Sequence, residues 1–238
     1  MAIKESLSVL FILSISLGAI SCRDRIFDNI YDPDKADIAY EISAVLNIVN
    51  LSPLDLTFAE DVLWICDGGA RITAVDYNSG QAIRSLSIGR PVVGIAYGEG
   101  DLWLSFSDSR QLSRVNALNG EVVRQLTLPR GEPRQLDFHR GWLYVADRAA
   151  NVIMLVDPQQ GVVKNTFHHP GFKIDGLAYD GRYVWTLDSS QDKLFREAHD
   201  GTPGNSYQAP ARNLSGLCSG LDSIWLGERS GRVFRLKF

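Results

Sequence analysis

The sequence is poor in cysteine, in excess basic charge and in long apolar runs, and each shortage excludes a class of protein. Its 238 residues contain three cysteines, Cys22, Cys66 and Cys218, too few and too scattered for a disulfide framework or a CxxC-type zinc site. Lys and Arg number 24 against 28 Asp and Glu, with no basic run, so we expect no nucleic-acid partner. The composition, 45% hydrophobic and 22% charged, is that of a globular chain.

The N-terminal segment has the form of an export signal. Residues 1–21 carry one early lysine, an apolar stretch diluted by serines and too short for a stable membrane span, and small residues before Cys22. The stretch Ala-Ile-Ser-Cys that ends at Cys22 resembles the lipobox of bacterial lipoproteins, in which the cysteine is lipidated and becomes the first mature residue. Ala19 stands where that motif usually has Leu, which leaves open an ordinary signal peptide cut near Ser21.

The lipobox resemblance implies an address in the bacterial cell envelope. The mature protein would be exported and held by acyl chains on Cys22, at the periplasmic or outer-membrane face, with the membrane contacted through this anchor only. Residues 22–38 include five Asp and show no helical or strand period, so we predict a solvated tether.

A repeat of about 40 residues fills the rest of the chain. An aromatic residue that follows an aliphatic one recurs at steps of 39, 41, 41 and 40 residues, at Trp64, Trp103, Tyr144, Trp185 and Trp225. A second aromatic series keeps the same period, at Phe58, Tyr97, Phe138 and Tyr179. Within each unit, short apolar runs alternate with turn residues, which is typical of strands. Four-stranded units of this length predict a β-propeller, with the central aromatics packed between blades.

The repeat also resembles known propeller families. The segments LYVADRAANVIMLVD at 143–157 and GLAYDGRYVWTLDSSQDKLFRE at 176–197 are similar to NHL-type, YVTN-type and streptogramin-lyase-like repeats. This resemblance specifies the fold far better than the activity.

The blade count depends on the two ends of the repeat region. The last unit stops one strand short, whereas Leu46 and Ile48 lie 40 residues before Leu86 and Ile88. Residues 40–49 are therefore predicted to pair with 232–238 as the outer strand of the last blade, which leaves no sheet edge open. We predict an all-β fold over residues 39–238: a five-bladed β-propeller of four-stranded antiparallel blades, closed by an N-terminal strand.

Acidic residues begin the hairpins between the second and third strands of most units. They follow the central aromatic by three residues, at Asp67, Asp147, Asp188 and Glu228. A ring of carboxylates at a channel mouth binds cations or basic partners. Since Asp at a hairpin start also bonds to the turn amides ahead of it, we favour the structural role.

The loops between blades vary more than the strands, as binding loops on a rigid scaffold do. They carry side chains that suit an anionic ligand, because arginine forks match carboxylate and phosphate. The candidate binding residues are Arg90, Arg130, Arg134, His169, Lys173, Asp175 and Arg212. Arg134 ranks first, since its register places it just before the innermost strand of the third blade. The alternative for the whole set is a solvated rim.

Two other features invite a chemical interpretation. Adjacent His168 and His169 point to opposite sides of an extended stretch and have no H-x-H, HExxH or Cys partner nearby, so we predict no metal and no cofactor. Cys66 and Cys218 fall in neighbouring blades, where a disulfide and two buried thiols both remain open, with thiols preferred.

Together these features predict a lipoprotein whose propeller, as a monomer, binds a protein or a small anionic ligand. No catalytic residue is identified. The alternative is a propeller enzyme, a lyase or a glutaminyl cyclotransferase-like protein acting in the channel mouth. The Phe-Thr-Gln-Gly-Leu and Glu-Ser-Thr-Gly stretches expected of the cyclotransferases are missing, as are GxSxG and P-loop motifs.

The anchor gives the first testable prediction. Replacing the acylated residue, Cys22→Ser, should move the protein from the membrane to the soluble fraction and abolish labelling by radioactive palmitate, because the acyl chains supply the membrane affinity. Fractionation and labelling of cells that express both forms measure this. Unchanged partitioning with no label on the unmutated chain would contradict the prediction.

Overall fold

The computed structural model describes residues 40–238, which form twenty β-strands joined by turns and loops. The first strand is β1 (Glu41–Asn47). Blade one contains β2 (Asp55–Ala59), β3 (Val62–Cys66), β4 (Arg71–Val75) and β5 (Ala82–Ser87). Blade two contains β6 (Val92–Gly98), β7 (Asp101–Phe106), β8 (Gln111–Asn116) and β9 (Val122–Thr127). Blade three contains β10 (Pro133–His139), β11 (Trp142–Asp147), β12 (Val152–Asp157) and β13 (Val162–His168).

The remaining strands complete the ring. Blade four contains β14 (Gly176–Tyr179), β15 (Tyr183–Asp188), β16 (Lys193–Ala198) and β17 (Ser206–Gln208). Blade five contains β18 (Leu214–Gly220), β19 (Ser223–Glu228) and β20 (Arg232–Lys237), with β1 as its fourth strand. Every blade is an antiparallel four-stranded sheet, so the predicted five-bladed β-propeller is confirmed.

The ring is closed by the N-terminal strand, as the 40-residue register predicts. β1 pairs antiparallel with β20 from Glu41 opposite Lys237 to Asn47 opposite Arg232. The side chain of Leu46 is buried in a cluster that includes Leu56 of blade one. The closing strand therefore joins the two ends of the ring through both backbone pairing and the core.

The central aromatic residues form the core between blades. All five are at most 2% exposed. Trp64 of blade one packs in a cluster with Leu102 and Leu104 of blade two, and Trp103 packs with Leu143 of blade three. Each blade thus buries a face only against its neighbours, which explains the fixed spacing of the aromatic series.

The innermost strands approach one another so closely that glycine is required at two bulges. A Cβ on Gly94 would lie 1.8 Å from the carbonyl oxygen of Arg134, and one on Gly216 would lie 2.6 Å from the Cα of Asp55. Gly216 also has φ +71, which favours glycine. The strand pairing shifts register at both positions. Backbone from neighbouring blades therefore meets around a narrow channel.

Strand direction gives the ring two distinct ends. Successive strands in a blade are antiparallel, so the loops between blades and the hairpins between second and third strands lie at one end. We call this end the loop face; its interblade loops are residues 48–54, 88–91, 128–132, 169–175 and 209–213. The opposite end, which carries the remaining turns, is the turn face.

Residues 1–39 lie outside the described residues. The predicted signal peptide at 1–21, the anchor Cys22 and the tether at 22–38 fall in that segment and stay predictions. Across residues 40–238, no helix has the length and apolar character needed to cross a membrane.

Ring closure predicts that β1 is essential to the fold. A chain lacking residues 1–49 should lose most of a net stability of about 5–15 kcal/mol and should aggregate through the open edge of β20. A chain lacking residues 1–38, which keeps β1, is the control and should remain a folded monomer. Thermal unfolding and size-exclusion chromatography make the comparison; equal melting temperatures with both chains monomeric would refute the role of β1.

Candidate functional site

The channel contains a buried carboxyl group that the repeat does not require. Asp55, 0% exposed, accepts the backbone N–H of Ile95 at 3.0 Å and that of Leu136 at 3.3 Å on the same oxygen, Oδ2. Burial raises its pKa well above the ordinary value, and these amides, with those of Leu56 and Leu217, oppose the rise only in part. Its Oδ1 has no partner among residues 40–238. One carboxyl group thus connects the innermost strands of blades one, two and three.

A second acid, Asp137, lies on the innermost strand of blade three. Its Oδ1 accepts the N–H of Phe138 at 2.8 Å, and its Oδ2 accepts the N–H of Tyr179 from blade four. Burial raises the pKa of Asp137 to about 7, against these two hydrogen bonds. An acid that titrates near neutral pH suits proton transfer. The bond from Tyr179 also gives Asp137 a structural role between blades three and four.

The loop face holds a pocket of about 530 Å³ between blades two and three. It is lined by the hairpin of blade two and the loop before β10, including Phe106, Arg110, Glu132 and Arg134. Arg110 donates to the carbonyl oxygen of Pro129 at 2.6 Å and makes no ion pair with a described residue. We call this space the loop-face pocket.

Arg134 is the residue in this pocket with the most unused hydrogen-bonding capacity. Its side chain is half-buried and forms no hydrogen bond or ion pair within the described part of the chain. Burial lowers the pKa of its guanidinium, the charge of Arg148 lowers it further, and Glu132 opposes both. A desolvated guanidinium without an anion costs free energy, so the pocket is electrostatically prepared for an anionic group.

Arg90 is engaged within its own blade instead. It forms an ion pair with Asp108 at 2.7 Å and donates to Gln111 at 2.6 Å and to Ser109 at 2.9 Å. Its guanidinium also lies 4.1 Å from the centre of the Phe106 ring. These contacts pair Asp108 at the pocket wall. The charged lining residues that remain without an ion pair in residues 40–238 are Arg110, Arg134 and Glu132.

The other candidates on the loop face are dispersed. Lys173 and Asp175 pair with each other at 2.9 Å. Arg212 is 89% exposed and lies 3.7 Å from Asp192. Arg130 is exposed and has no partner among residues 40–238. All four lie at the predicted end of the ring, but only Arg134 of the predicted set lines the loop-face pocket.

His169 does not lie on the rim, which corrects its selection as a surface binding residue. Its side chain is fully buried, with Nδ1 2.9 Å from the Thr186 hydroxyl and 3.7 Å from a Glu197 oxygen. The loop folds over it because Asn151 donates to the carbonyl oxygen of Gly171 at 2.9 Å and the N–H of Phe172 donates to Asp188. The imidazole therefore supports the loop from beneath.

The acids that begin the hairpins serve the turns, as the sequence favours. Asp67 accepts the N–H of Gly69 at 2.9 Å, and Asp147 accepts those of Glu132 at 2.9 Å and Ala149 at 3.0 Å. Burial alone would raise the pKa of Asp188, but donors from Ser190 and from Phe172 and Lys173 of the interblade loop before β14 outweigh it and hold the pKa below its ordinary value. Glu228 is used differently, since it pairs with Arg232.

The two cysteines of the propeller are buried thiols. Cys66 and Cys218 are both unbonded, and burial raises the pKa of each thiol well above its usual range. The alternative of a disulfide between blades one and five is therefore decided in favour of free thiols, whose raised pKa makes them poor nucleophiles.

Sequence reasoning missed Asp55 and Asp137, although a signal was present. The innermost strands of blades four and five read GLA and GLC, whereas blade one reads DLT and blade three QLD over the equivalent positions. An acid inside an otherwise apolar inner strand breaks the repeat. Such a departure marks a position that the fold alone does not dictate.

Comparison with known proteins supports the fold. No protein-family model matches the sequence, and no curated protein matches it. The glutaminyl cyclase of Myxococcus xanthus superposes with a TM-score of 0.70 at 13% identity, over 83% of this chain and 95% of that one. The virginiamycin B lyase of Staphylococcus aureus superposes with a TM-score of 0.53 at 15% identity, over 80% of this chain and 67% of that one. A streptogramin B lyase superposes with a TM-score of 0.54 at 14% identity, over 83% of this chain and 97% of that one.

At these identities the likeness shows the fold alone. The protein is a β-propeller repeat protein, as the aromatic period and the repeat resemblance predict. The propeller supplies a rigid scaffold with loops displayed at one end.

The raised pKa of Asp137 predicts an unusual dependence of fold stability on pH. Because the pKa of Asp137 rises from 3.8 to about 7 on folding, the folded chain holds a proton that the unfolded chain releases between these values. Stability should therefore fall as pH rises from about 4 to about 7, by roughly 2–4 kcal/mol from this group. Because Asn does not titrate, the free energy of unfolding of Asp137→Asn relative to that of the unmutated protein should rise across this window and stay constant above it.

Urea unfolding of both proteins at a series of pH values measures this difference. Asp55 and His139, whose pKa values also shift, are common to both proteins and cancel. Parallel stability curves for the two proteins would show that Asp137 does not titrate differently on folding.

Proposed function

We propose that this protein is a bacterial envelope lipoprotein whose propeller binds an anionic group of a protein or small ligand in the loop-face pocket. The observation that carries the binding site is Arg134, a half-buried guanidinium with no anionic partner in the described chain. The lipobox-like sequence before Cys22 supports the envelope address.

Hydrogen bonds fix the backbone around Arg134, which favours a preorganised binding site over a solvated rim. Its carbonyl oxygen accepts the Ser105 hydroxyl at 2.5 Å, which fixes the backbone at the start of β10. Asp147 fixes the preceding loop by accepting the N–H of Glu132. A guanidinium on a fixed backbone loses less entropy when it binds an anion, so its hydrogen bonds contribute more to affinity.

The test uses a defined anionic probe. Acetyl-hexaglutamate and inorganic phosphate are titrated into the purified propeller by calorimetry, at low and at physiological salt. Arg134→Gln keeps a polar side chain but removes the charge, and a charge-assisted bond is worth roughly 1.5–3 kcal/mol, so affinity should fall by about one to two decades. Raised salt should weaken probe binding by the unmutated protein more than probe binding by the variant.

Arg71→Gln is the matched control. Arg71 is exposed at the same end of the ring, in blade one, and has no partner in residues 40–238, so the substitution makes the same charge change on the same face. It should leave probe affinity nearly unchanged. An equal loss of probe affinity in both variants would indicate general charge attraction and would refute the proposed site. Unchanged probe affinity in both variants would also refute it.

The second candidate is a propeller enzyme that acts in the channel. It is favoured by the pKa of about 7 for Asp137 and by the TM-score of 0.70 to a glutaminyl cyclase. Turnover of a peptide with N-terminal glutamine that is lost in Asp137→Asn and retained in Arg134→Gln would favour this candidate over binding at the loop face.

A further inference from the structure

A second pocket, of about 530 Å³, lies on the turn face between blades four and five. Its walls come from Tyr183 and Trp185 of β15, Arg196 of β16, the turn at Leu221 in blade five, and Phe238. We call it the turn-face pocket. It lies at the opposite end of the ring from the loop-face pocket, so the two spaces are separate.

Arg196 in this pocket is surrounded by rings and has no anionic partner. Its guanidinium carbon lies 4.7 Å from the centre of the Tyr183 ring, 5.6 Å from Trp185 and 5.5 Å from Tyr207. The guanidinium makes no hydrogen bond or ion pair with any residue of the described range. The rings hold the planar fork in place while its N–H donors remain unused.

The repeat provides an internal comparison, because two other blades carry an arginine at the same position. Arg114 stands opposite Trp103 and Arg235 opposite Trp225, as Arg196 stands opposite Trp185. Arg114 forms ion pairs with Asp101 at 2.7 Å and with Glu99 at 3.2 Å.

In blade five the guanidinium is likewise satisfied. Arg235 donates to the Ser223 hydroxyl and to the carbonyl oxygen of Leu221, both at 2.9 Å. Asp101 and Ser223 each stand two residues before the central tryptophan, where blade four has Tyr183. An acceptor has thus been replaced by a ring, which leaves Arg196 free to bind an external group.

Besides Arg196, the charged residues that line the pocket are Arg182 and the two acids Asp180 and Asp222. Arg182 lies 4.9 Å from the face of Tyr183 and has no ion pair in residues 40–238. Asp180 is occupied, since its oxygens accept the N–H groups of Arg182 at 2.8 Å and Tyr183 at 2.7 Å and the Trp185 indole N–H at 2.7 Å. Asp222, the other acid that lines the pocket, is exposed and has no ion pair among the described residues. Arg196 is the guanidinium that the rings hold in place with its donors free.

Apolar surface lines the remainder of the pocket. Phe238 is 45% exposed and its ring centre lies 4.3 Å from that of Trp185. Leu221 is also 45% exposed, and it adopts φ 54. The equivalent turn residues of blades one, two and three, Glu60, Glu99 and Arg140, have the same left-handed conformation, so the hairpin turn of the repeat places the leucine here. An apolar group seated here would cover surface that the propeller leaves open to water.

We propose that the turn-face pocket binds a small molecule that carries a carboxylate or phosphate group on a flat apolar ring. Arg196 and Arg182 bind the anionic group, and Tyr183, Phe238 and Leu221 contact the ring. This site is independent of the binding role assigned to the loop face.

Phenyl phosphate, inorganic phosphate and phenol are the probes for this site, with binding measured by calorimetry and by tryptophan fluorescence. Phenyl phosphate should bind more tightly than phosphate by roughly 2–10-fold because of ring contacts, and more tightly than phenol because of the charge. Arg196→Gln should lower the affinity for phenyl phosphate by about tenfold or more. Arg196→Lys should recover part of the loss, since it keeps the charge but not the planar fork.

Arg114→Gln is the matched control, because it alters the same repeat position in blade two. It should leave the phenyl phosphate affinity unchanged, with the fold of every variant checked by its melting temperature. Equal affinity in Arg196→Gln and the unmutated protein would overturn the proposal. Loss in Arg134→Gln rather than in Arg196→Gln would also overturn it, since the probe would then occupy the loop-face pocket. Phosphate binding as tightly as phenyl phosphate would overturn the role of the ring contacts.

Discussion

The structure depends on satisfying the free edges of five innermost strands that meet around one channel. Each such strand pairs on one side only, so its other edge presents backbone N–H and C=O groups without a sheet partner. Asp55 satisfies part of these groups, because its Oδ2 accepts an amide from blade two and one from blade three. Asp137 accepts an amide of blade four, and Thr57 accepts the N–H of Tyr97 at 3.2 Å. Side chains of the inner strands therefore connect the blades that the outer core packs together.

The repeat and its exceptions have different roles. The central aromatics, the closing strand and the acids at hairpin starts recur because every blade needs the same packing and the same turns. Arg134 and Arg196 depart from that pattern in different ways. Arg134 stands where the other blades carry Leu54, Val93, Asp175 and Ser215, and Arg196 lacks the acceptors that Arg114 and Arg235 have. Both proposed binding sites therefore depend on residues that the repeat does not dictate.

The sequence predicted what is periodic. The 40-residue steps located every blade, and the register of Leu46 and Ile48 against Leu86 and Ile88 located the closing strand, because periodic burial needs only a one-dimensional pattern. The sequence did not predict contacts that depend on ring closure. Asp55 reaches Leu136 across 81 residues of chain. His169 is buried because the interblade loop that it begins folds over it and is held by Asn151 of blade three.

The charges at the two ends of the ring imply two kinds of recognition. The loop face exposes more basic than acidic side chains, including Arg71, Arg110, Arg130, Arg148 and Arg229. The turns at the other end expose Glu60, Asp61, Glu99, Asp200 and Asp222. An anion approaching the loop face is attracted over a distance set by the ionic strength. At the turn-face pocket the acids Asp180 and Asp222 offset Arg182 and Arg196, so the affinity for an anion has to come from direct contact with the guanidinium and the rings. The proposed acidic protein partner thus fits the loop face, and the proposed small ligand fits the turn-face pocket.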